Sequence, residues 1–144
     1  MMRRLRQFRE LSFFEKKVLF LSILALPGIA LLLSTLGYNK TKALLSRFMP
    51  GASLLHLPQG DEIARAHSLA RIVHIAARHN ILKTNCLKQS LLLWVLLGRR
   101  RLYSEIRIGV QKDAGRQFNA HAWVECNGEP LIDSRDTINK FSAF

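Results

Sequence analysis

Three side chains in this sequence form a set that can break an amide bond. They are the thiol of Cys86, the imidazole of His121 and the carboxylate of Asp133. An imidazole beside a thiol takes its proton and later protonates a leaving amine. A carboxylate behind the imidazole fixes its tautomer and stabilises the imidazolium. The order Cys, His, Asp is weak by itself, because such sets are recognised by geometry. The question is which elements carry the three groups.

Thr84-Asn85-Cys86-Leu87-Lys88-Gln89-Ser90 opens an apolar stretch, Leu87 to Leu97, that reads as a buried helix. Gly98 followed by Arg99, Arg100 and Arg101 ends it with suitable chemistry. Thr84 or Asn85 can cap its start. Cys86 then sits at a helix N-terminus, where backbone amides and the positive dipole end favour a thiolate. Those amides, with Cys86's own among them, could receive a developing oxyanion. Asn85 and Gln89 are candidate side-chain donors beside them. The rival reading of Cys86 is a small buried hydrophobe.

After that helix the apolar period changes from 3.6 to 2. Ile106, Ile108 and Val110 alternate with Arg107, Gly109 and Gln111 in a half-buried strand. Lys112 to Arg116 reads as a turn. The next strand runs from Phe118 to Glu125, with Phe118, Ala120, Ala122 and Val124 on an apolar face and Asn119, His121, Trp123 and Glu125 on the other. Asn127-Gly128 marks a hairpin, and Leu131-Ile132-Asp133 begins a return strand that Pro130 places at an edge. A two-residue loop would set Cys126 opposite Glu129 and His121 opposite Ser134. A three-residue loop, Cys126-Asn127-Gly128, would set His121 opposite Asp133 and Trp123 opposite Leu131. One residue of slip exchanges the faces. The three-residue form, or an equivalent bulge near Pro130, is expected, because it alone puts a carboxylate beside the imidazole.

The first half of the chain is helical, basic and apolar. Ser12-Phe13-Phe14-Glu15 has the form of a capping box, so a helix begins at residue 13. Val18 to Leu36 is 19 residues without a charge, about the length that crosses a bilayer. Pro27-Gly28 should break it into two short helices. Basic residues flank it on both sides, so no orientation is favoured. The expectation is a helical hairpin packed on the domain or resting on a membrane face. Asn39 can cap a further helix from Lys40 to Met49, with Leu44, Leu45 and Phe48 on one face. Residues 50 to 60 form a loop. Asp61-Glu62 start a helix to about His79, near Asn80, whose apolar face is Ile63, Ala66, Ala70, Val73 and Ala77. His67, Arg71, His74 and Arg78 make one polar stripe along it. Two arginines and no carboxylate in that stripe argue for a solvated face over a metal site.

The 144 residues are 49% hydrophobic, enough for one domain with a real core, and carry a formal net charge of +12. That charge suggests an acidic peptide or membrane surface as partner. Nucleic acid is not expected, since no recognised binding motif accompanies the scattered arginines. Two cysteines are too few for a disulfide framework, which points to a reducing, cytoplasmic setting. No P-loop, Gly-x-Gly-x-x-Gly or Cys-x-x-Cys pair is present, and no metal or cofactor is expected. Cys126 reads as structural.

Cys86-Leu87-x-x-Ser90-Leu91-x-Leu93, Ile108-Gly109-Val110 and Phe118-x-Ala120-His121-Ala122-Trp123-Val124-Glu125 together resemble the transglutaminase-like cysteine peptidases of lasso-peptide biosynthesis. The resemblance is to the free-standing B-type maturation peptidase and covers residues 60 to 144. It implies an α+β fold with a papain/transglutaminase-like core, in which the cysteine helix packs on a small antiparallel sheet behind an α-helical N-terminal half. Residues 1–50 would be a basic, apolar helical segment, 51–60 a linker and 61–144 the catalytic core. By position Cys86 would be the nucleophile, His121 the base and then acid, and Asp133 the orienting carboxylate. Asn85, Gln89 and Trp123 would support the oxyanion or the triad. Gln89 stands where that family often has arginine.

The resemblance implies an endopeptidase that cuts the leader from a ribosomally made precursor peptide and frees the amine of the core. A separate ATP-dependent macrolactam cyclase would then use that amine. No leader-binding module is visible in the sequence, so a small leader-recognition protein acting in trans is expected. Residues 13–48 would supply a docking face or a peripheral membrane contact. Two rivals stand beside this reading. One is a transglutaminase-like acyltransferase, in which an amine replaces water. The other is a non-catalytic membrane-associated adaptor.

Overall fold

A computed structural model describes residues 9–79, 85–112, 118–132, 139 and 141–143. Helix α1 (Phe13–Ser46) is followed by a short 3-10 turn (Ala52–Leu54), α2 (Asp61–Arg78) and α3 (Cys86–Arg99). Strands β1 (Glu105–Lys112), β2 (Phe118–Cys126), β3 (Glu129–Pro130) and β4 (Ser142–Ala143) complete an antiparallel sheet in the order β3-β2-β1-β4. The fold is thus mixed α+β with a helical N-terminal half, as expected.

The capping box forms as the sequence predicts. Ser12 Oγ accepts from the Glu15 amide at 3.2 Å, and Glu15 Oε2 accepts from the Ser12 amide at 2.7 Å. The expected break at Pro27-Gly28 does not occur: α1 runs through Pro27 and is interrupted at Gly37 (φ 77°, ψ 175°). Leu26 and Ile29, on either side of the proline, are buried against the core, and that packing carries the helix past a missing amide donor. Gly37 takes a positive φ that any other residue would reach at a cost, so the chain turns there instead. The helix after Gly37 ends at Ser46, short of Met49, and Phe48 is exposed rather than part of its packed face.

Helix α2 buries Ala66, Leu69, Ala70, Ile72, Val73, Ala76 and Ala77, a wider face than the expected set. Ile63, expected on that face, stands exposed near the helix start. Helix α3 lies at the centre of the molecule, with Leu91, Leu93 and Leu97 fully buried among α1, α2 and the sheet.

Both faces of β2 are covered. Val124 and Cys126 face the helical core, while Trp123 is buried on the opposite face. Ala120, placed by alternation on the apolar face, is exposed. Strand β4 accounts for the second cover. It pairs Ala143 with Gly109 and brings Phe141 over that glycine and Trp123.

The β2–β3 hairpin corrects the expected register. Cys126 pairs with Glu129 and Glu125 with Pro130, so the loop is the two residues Asn127-Gly128. Both take positive φ, 55° and 78°, as a type I′ turn requires. The Leu131 amide donates to the Val124 carbonyl at 3.1 Å, so Leu131 lies across from Val124 and not Trp123. Turn chemistry decided this register: an Asn-Gly pair closes a tight hairpin without a bulge. Thr84, Asn80, the turn after Lys112 and Asp133 lie outside the described residues.

Candidate active site

Asn85 is the N-cap of α3. Its Oδ1 accepts from the Lys88 amide at 3.1 Å, and its carbonyl accepts from the Gln89 amide at 3.3 Å. Cys86 is therefore the first helical residue. The amides of Cys86 and Leu87 have no hydrogen bond among the described residues. They belong to the first turn, whose four amides have no partner within the helix, and they lie beside the sulfur. Asn85 spends its oxygen on the cap, which leaves its side-chain NH2 as a donor.

The thiol meets the sheet at β2. The Ala122 amide donates to Cys86 Sγ at 3.4 Å. Backbone groups alternate in direction along a strand, so Ala122 points its amide to the same edge as Val124, whose carbonyl takes Leu131. The sulfur thus occupies a ladder position on the β3 side of β2. Ala122 directly follows His121 in the chain. The geometry brings the thiol and the backbone of the histidine strand together, which sequence order alone could not do.

His121 is half-buried and held by rings. Its imidazole stacks on Trp123 at 5.9 Å between centroids, with 19° between planes, and lies 5.1 Å from Phe141. Trp123 is itself fixed, since its Nε1 donates to Glu125 Oε1 at 2.8 Å and Arg107 Nε lies 3.4 Å from the other Glu125 oxygen. Arg107 also reaches Glu105 at 3.0 Å, and the Tyr103 hydroxyl donates to Glu105 at 2.7 Å. This outer-face network orients Trp123, and Trp123 supports the imidazole. Phe141 was missed by sequence reading, because a two-residue strand carries no periodicity to announce it.

Gln89 and the α2 stripe meet at the same end of the molecule. His74 Nδ1 lies 3.4 Å from Gln89 Oε1, and His67 Nδ1 lies 3.3 Å from the Leu131 carbonyl. The stripe of His67, Arg71, His74 and Arg78 is exposed, as expected, yet its two histidines border the cysteine helix and β3. Among the described residues no cluster of three or more His, Cys, Asp or Glu could hold a metal.

The two cysteines differ in environment. Cys86 is half-buried, whereas Cys126 is buried, its Sγ facing the Tyr103 carbonyl at 3.6 Å. Burial pushes the Cys126 thiol up to about 11, so it stays protonated at neutral pH.

A cysteine at the start of a central helix, set against a histidine-bearing antiparallel strand, is the arrangement of a papain- or transglutaminase-like core. The transglutaminase-like superfamily model matches residues 32–144, and the chain belongs to that superfamily. Its members are typically cysteine-dependent enzymes, among them peptidases and acyltransferases. No curated protein and no solved structure gives a significant match. The superfamily match begins within α1, in line with the core that α1 shares with α2 and α3.

Proposed function

We propose that this protein is a cysteine endopeptidase that removes the leader from a ribosomally synthesised lasso-peptide precursor. The observation that carries the cysteine chemistry is the Cys86 thiol at the first residue of α3, 3.4 Å from the Ala122 amide and next in chain to His121. The choice of substrate rests on the Ala120-His121-Ala122-Trp123-Val124-Glu125 segment and the spacing of the cysteine helix before it.

In this reading His121 takes the Cys86 proton and the sulfur adds to the scissile carbonyl. The amides of Cys86 and Leu87 receive the oxyanion, with the Asn85 or Gln89 side-chain NH2 as a further donor. Collapse breaks the C–N bond, and the imidazolium gives its proton to the departing amine of the core peptide. Water, deprotonated by His121, then adds to the thioester. Breakage of the C–S bond releases the leader carboxylate and restores the thiol. Asp133 holds the imidazole in the tautomer that each step needs. No metal or cofactor takes part.

A small leader-recognition protein presents the precursor in trans, and the ATP-dependent cyclase consumes the freed amine. The setting is cytoplasmic, where both thiols stay reduced. The test is mass spectrometry of a candidate precursor incubated with this protein and a leader-recognition partner, wild type against Cys86→Ala. A leader-sized hydrolysis product that disappears with Cys86→Ala supports the peptidase. A product short of one water, joined to an amine, would replace it with acyl transfer. No covalent change with any partner would leave a non-catalytic adaptor.

A further inference from the structure

We propose that the outer face of α1 docks on the surface of an anionic lipid bilayer, with the helix lying in the plane of the membrane and the catalytic core on the aqueous side. Phe13, Phe20, Leu24 and Leu31 are all exposed large apolar residues, at 87%, 63%, 61% and 65%. Their spacings of seven, four and seven place them within about 40° of one another at 3.6 residues per turn. They form one stripe. Val18, Leu19, Ser22, Leu26 and Ile29, the buried residues of the same segment, centre on the opposite side and pack on the domain. A helix apolar all round with one face already packed needs a second apolar neighbour for the other.

Charge identifies that neighbour. Between Glu15 and Asp61 the chain has no carboxylate, while Lys16, Lys17, Lys40, Lys42 and Arg47 all fall there. Lys16 and Lys17 are exposed at one end of the stripe, and Lys40 and Arg47 are exposed beyond the other. The nearest carboxylate, Glu15, is turned to the Ser12 cap and to Arg71 at 3.7 Å. Apolar side chains flanked by cations, with carboxylates only at the Phe13 end, match acyl chains below a layer of anionic headgroups. α1 is long and apolar enough to cross a bilayer. Its buried face, however, is part of the core shared with α2 and α3, so crossing would pull the fold apart.

The experiment is co-sedimentation of the full chain with vesicles of phosphatidylcholine and phosphatidylglycerol, and with phosphatidylcholine alone. Binding to the anionic vesicles, weakened by salt and reversed by alkaline carbonate, is the expected result. Lys16→Gln/Lys17→Gln should weaken it by roughly thirtyfold, the worth of two basic residues near such a surface. Phe20→Ser/Leu24→Ser should abolish it while circular dichroism stays unchanged, since both positions are exposed. Cys86→Ala should bind as the wild type does, so this reading and the peptidase reading fail separately. Absence of vesicle binding overturns the proposal. So does a stable dimer that the Phe20→Ser/Leu24→Ser chain cannot form, which would assign the face to a second copy. Retention through the carbonate wash would make α1 a span and overturn it as well.

Discussion

The Ala122 amide donates a hydrogen bond to Cys86 Sγ at 3.4 Å. A sulfur in a ladder position on a strand edge, at the first residue of a helix, sees amide donors from two elements. Cys126 sees a carbonyl and an apolar core. Iodoacetamide at neutral pH should therefore modify Cys86 and spare Cys126 in the folded protein. Peptide mapping after brief labelling checks this. Modification of both at equal rates would mean that the fold does not separate them. Under the proposed cysteine chemistry, the same labelling, or Cys86→Ala, should lower turnover by roughly 10⁴-fold.

The imidazole of His121 is confined by two rings, and one of them depends on a glycine. A Cβ at Gly109 would stand 2.8 Å from Phe141 Cβ and 2.9 Å from Trp123 Cη2. Gly109→Ala should thus cost about 1–3 kcal/mol of stability through overpacking, seen as a lower denaturation midpoint. Phe141→Ala leaves the sheet in place and removes one wall of the histidine site. It should lower kcat by roughly tenfold with little change in KM, and Phe141→Leu should restore part of the loss. A Phe141→Ala enzyme with wild-type kcat and an unchanged pH profile would show that the ring only packs.

How much of this could be read from the sequence depends on the range of the signal. The capping box at Ser12 and Glu15, the Asn85 cap and the alternation of β1 are local, and the residues that make them are adjacent. The placement of Cys86 at a helix start followed from that local chemistry. The break in α1 did not. Pro27 is a strong local breaker, but tertiary burial of Leu26 and Ile29 outweighs it, and no local pattern reports tertiary burial. The hairpin register follows the Asn127-Gly128 turn, a local signal that outweighs the pairing of His121 with Asp133 expected from the chemistry. The contact of the thiol with Ala122 and the cover supplied by Phe141 join residues 36 and 20 positions apart, respectively, from Cys86 and His121. Nothing in the spacing announces either.

Cys126 makes alkaline stability a readout of the core. Its thiol is raised by burial from 9.0 to about 11, so between those values the native state holds a proton that the unfolded chain has lost. Stability from this group is full below pH 9 and falls as pH rises toward 11. The total is on the order of 2 kcal/mol. Urea denaturation across that range should show the decline, and Cys126→Ala should flatten it while starting from a lower value at neutral pH. An equal slope in both proteins would assign the decline to other groups.

The turn that sets the register should be sensitive at one residue and tolerant at the other. Gly128 has φ 78° and nothing within 4 Å of an added Cβ, so Gly128→Ala meets backbone strain alone. A loss of about 1–2 kcal/mol is expected. Asn127 at φ 55° already occupies the left-handed region that asparagine tolerates, and Asn127→Gly should change stability by less than about 0.5 kcal/mol. Thermal denaturation of the two variants separates these costs. Equal effects would argue against a type I′ turn.

The observed register also sharpens the question of what orients His121. The register of Leu131 and Val124, carried past the Ala122 position that the sulfur occupies, would bring residue 134 rather than residue 133 opposite His121. A bulge beyond Ile132 would restore the carboxylate to the histidine's face. The two cases predict different variants to be damaging. If Asp133 orients the imidazole, Asp133→Asn should lower kcat by roughly 10²–10⁴-fold and alter the pH dependence of turnover, because the amide presents the ring with the wrong partner. Ser134→Ala should then be nearly silent. If the unbulged register persists, Ser134→Ala carries the loss and Asp133→Asn leaves the pH profile as it was. Measuring both variants at several pH values decides between them, since a residue that merely supports the strand would lower stability without moving that profile.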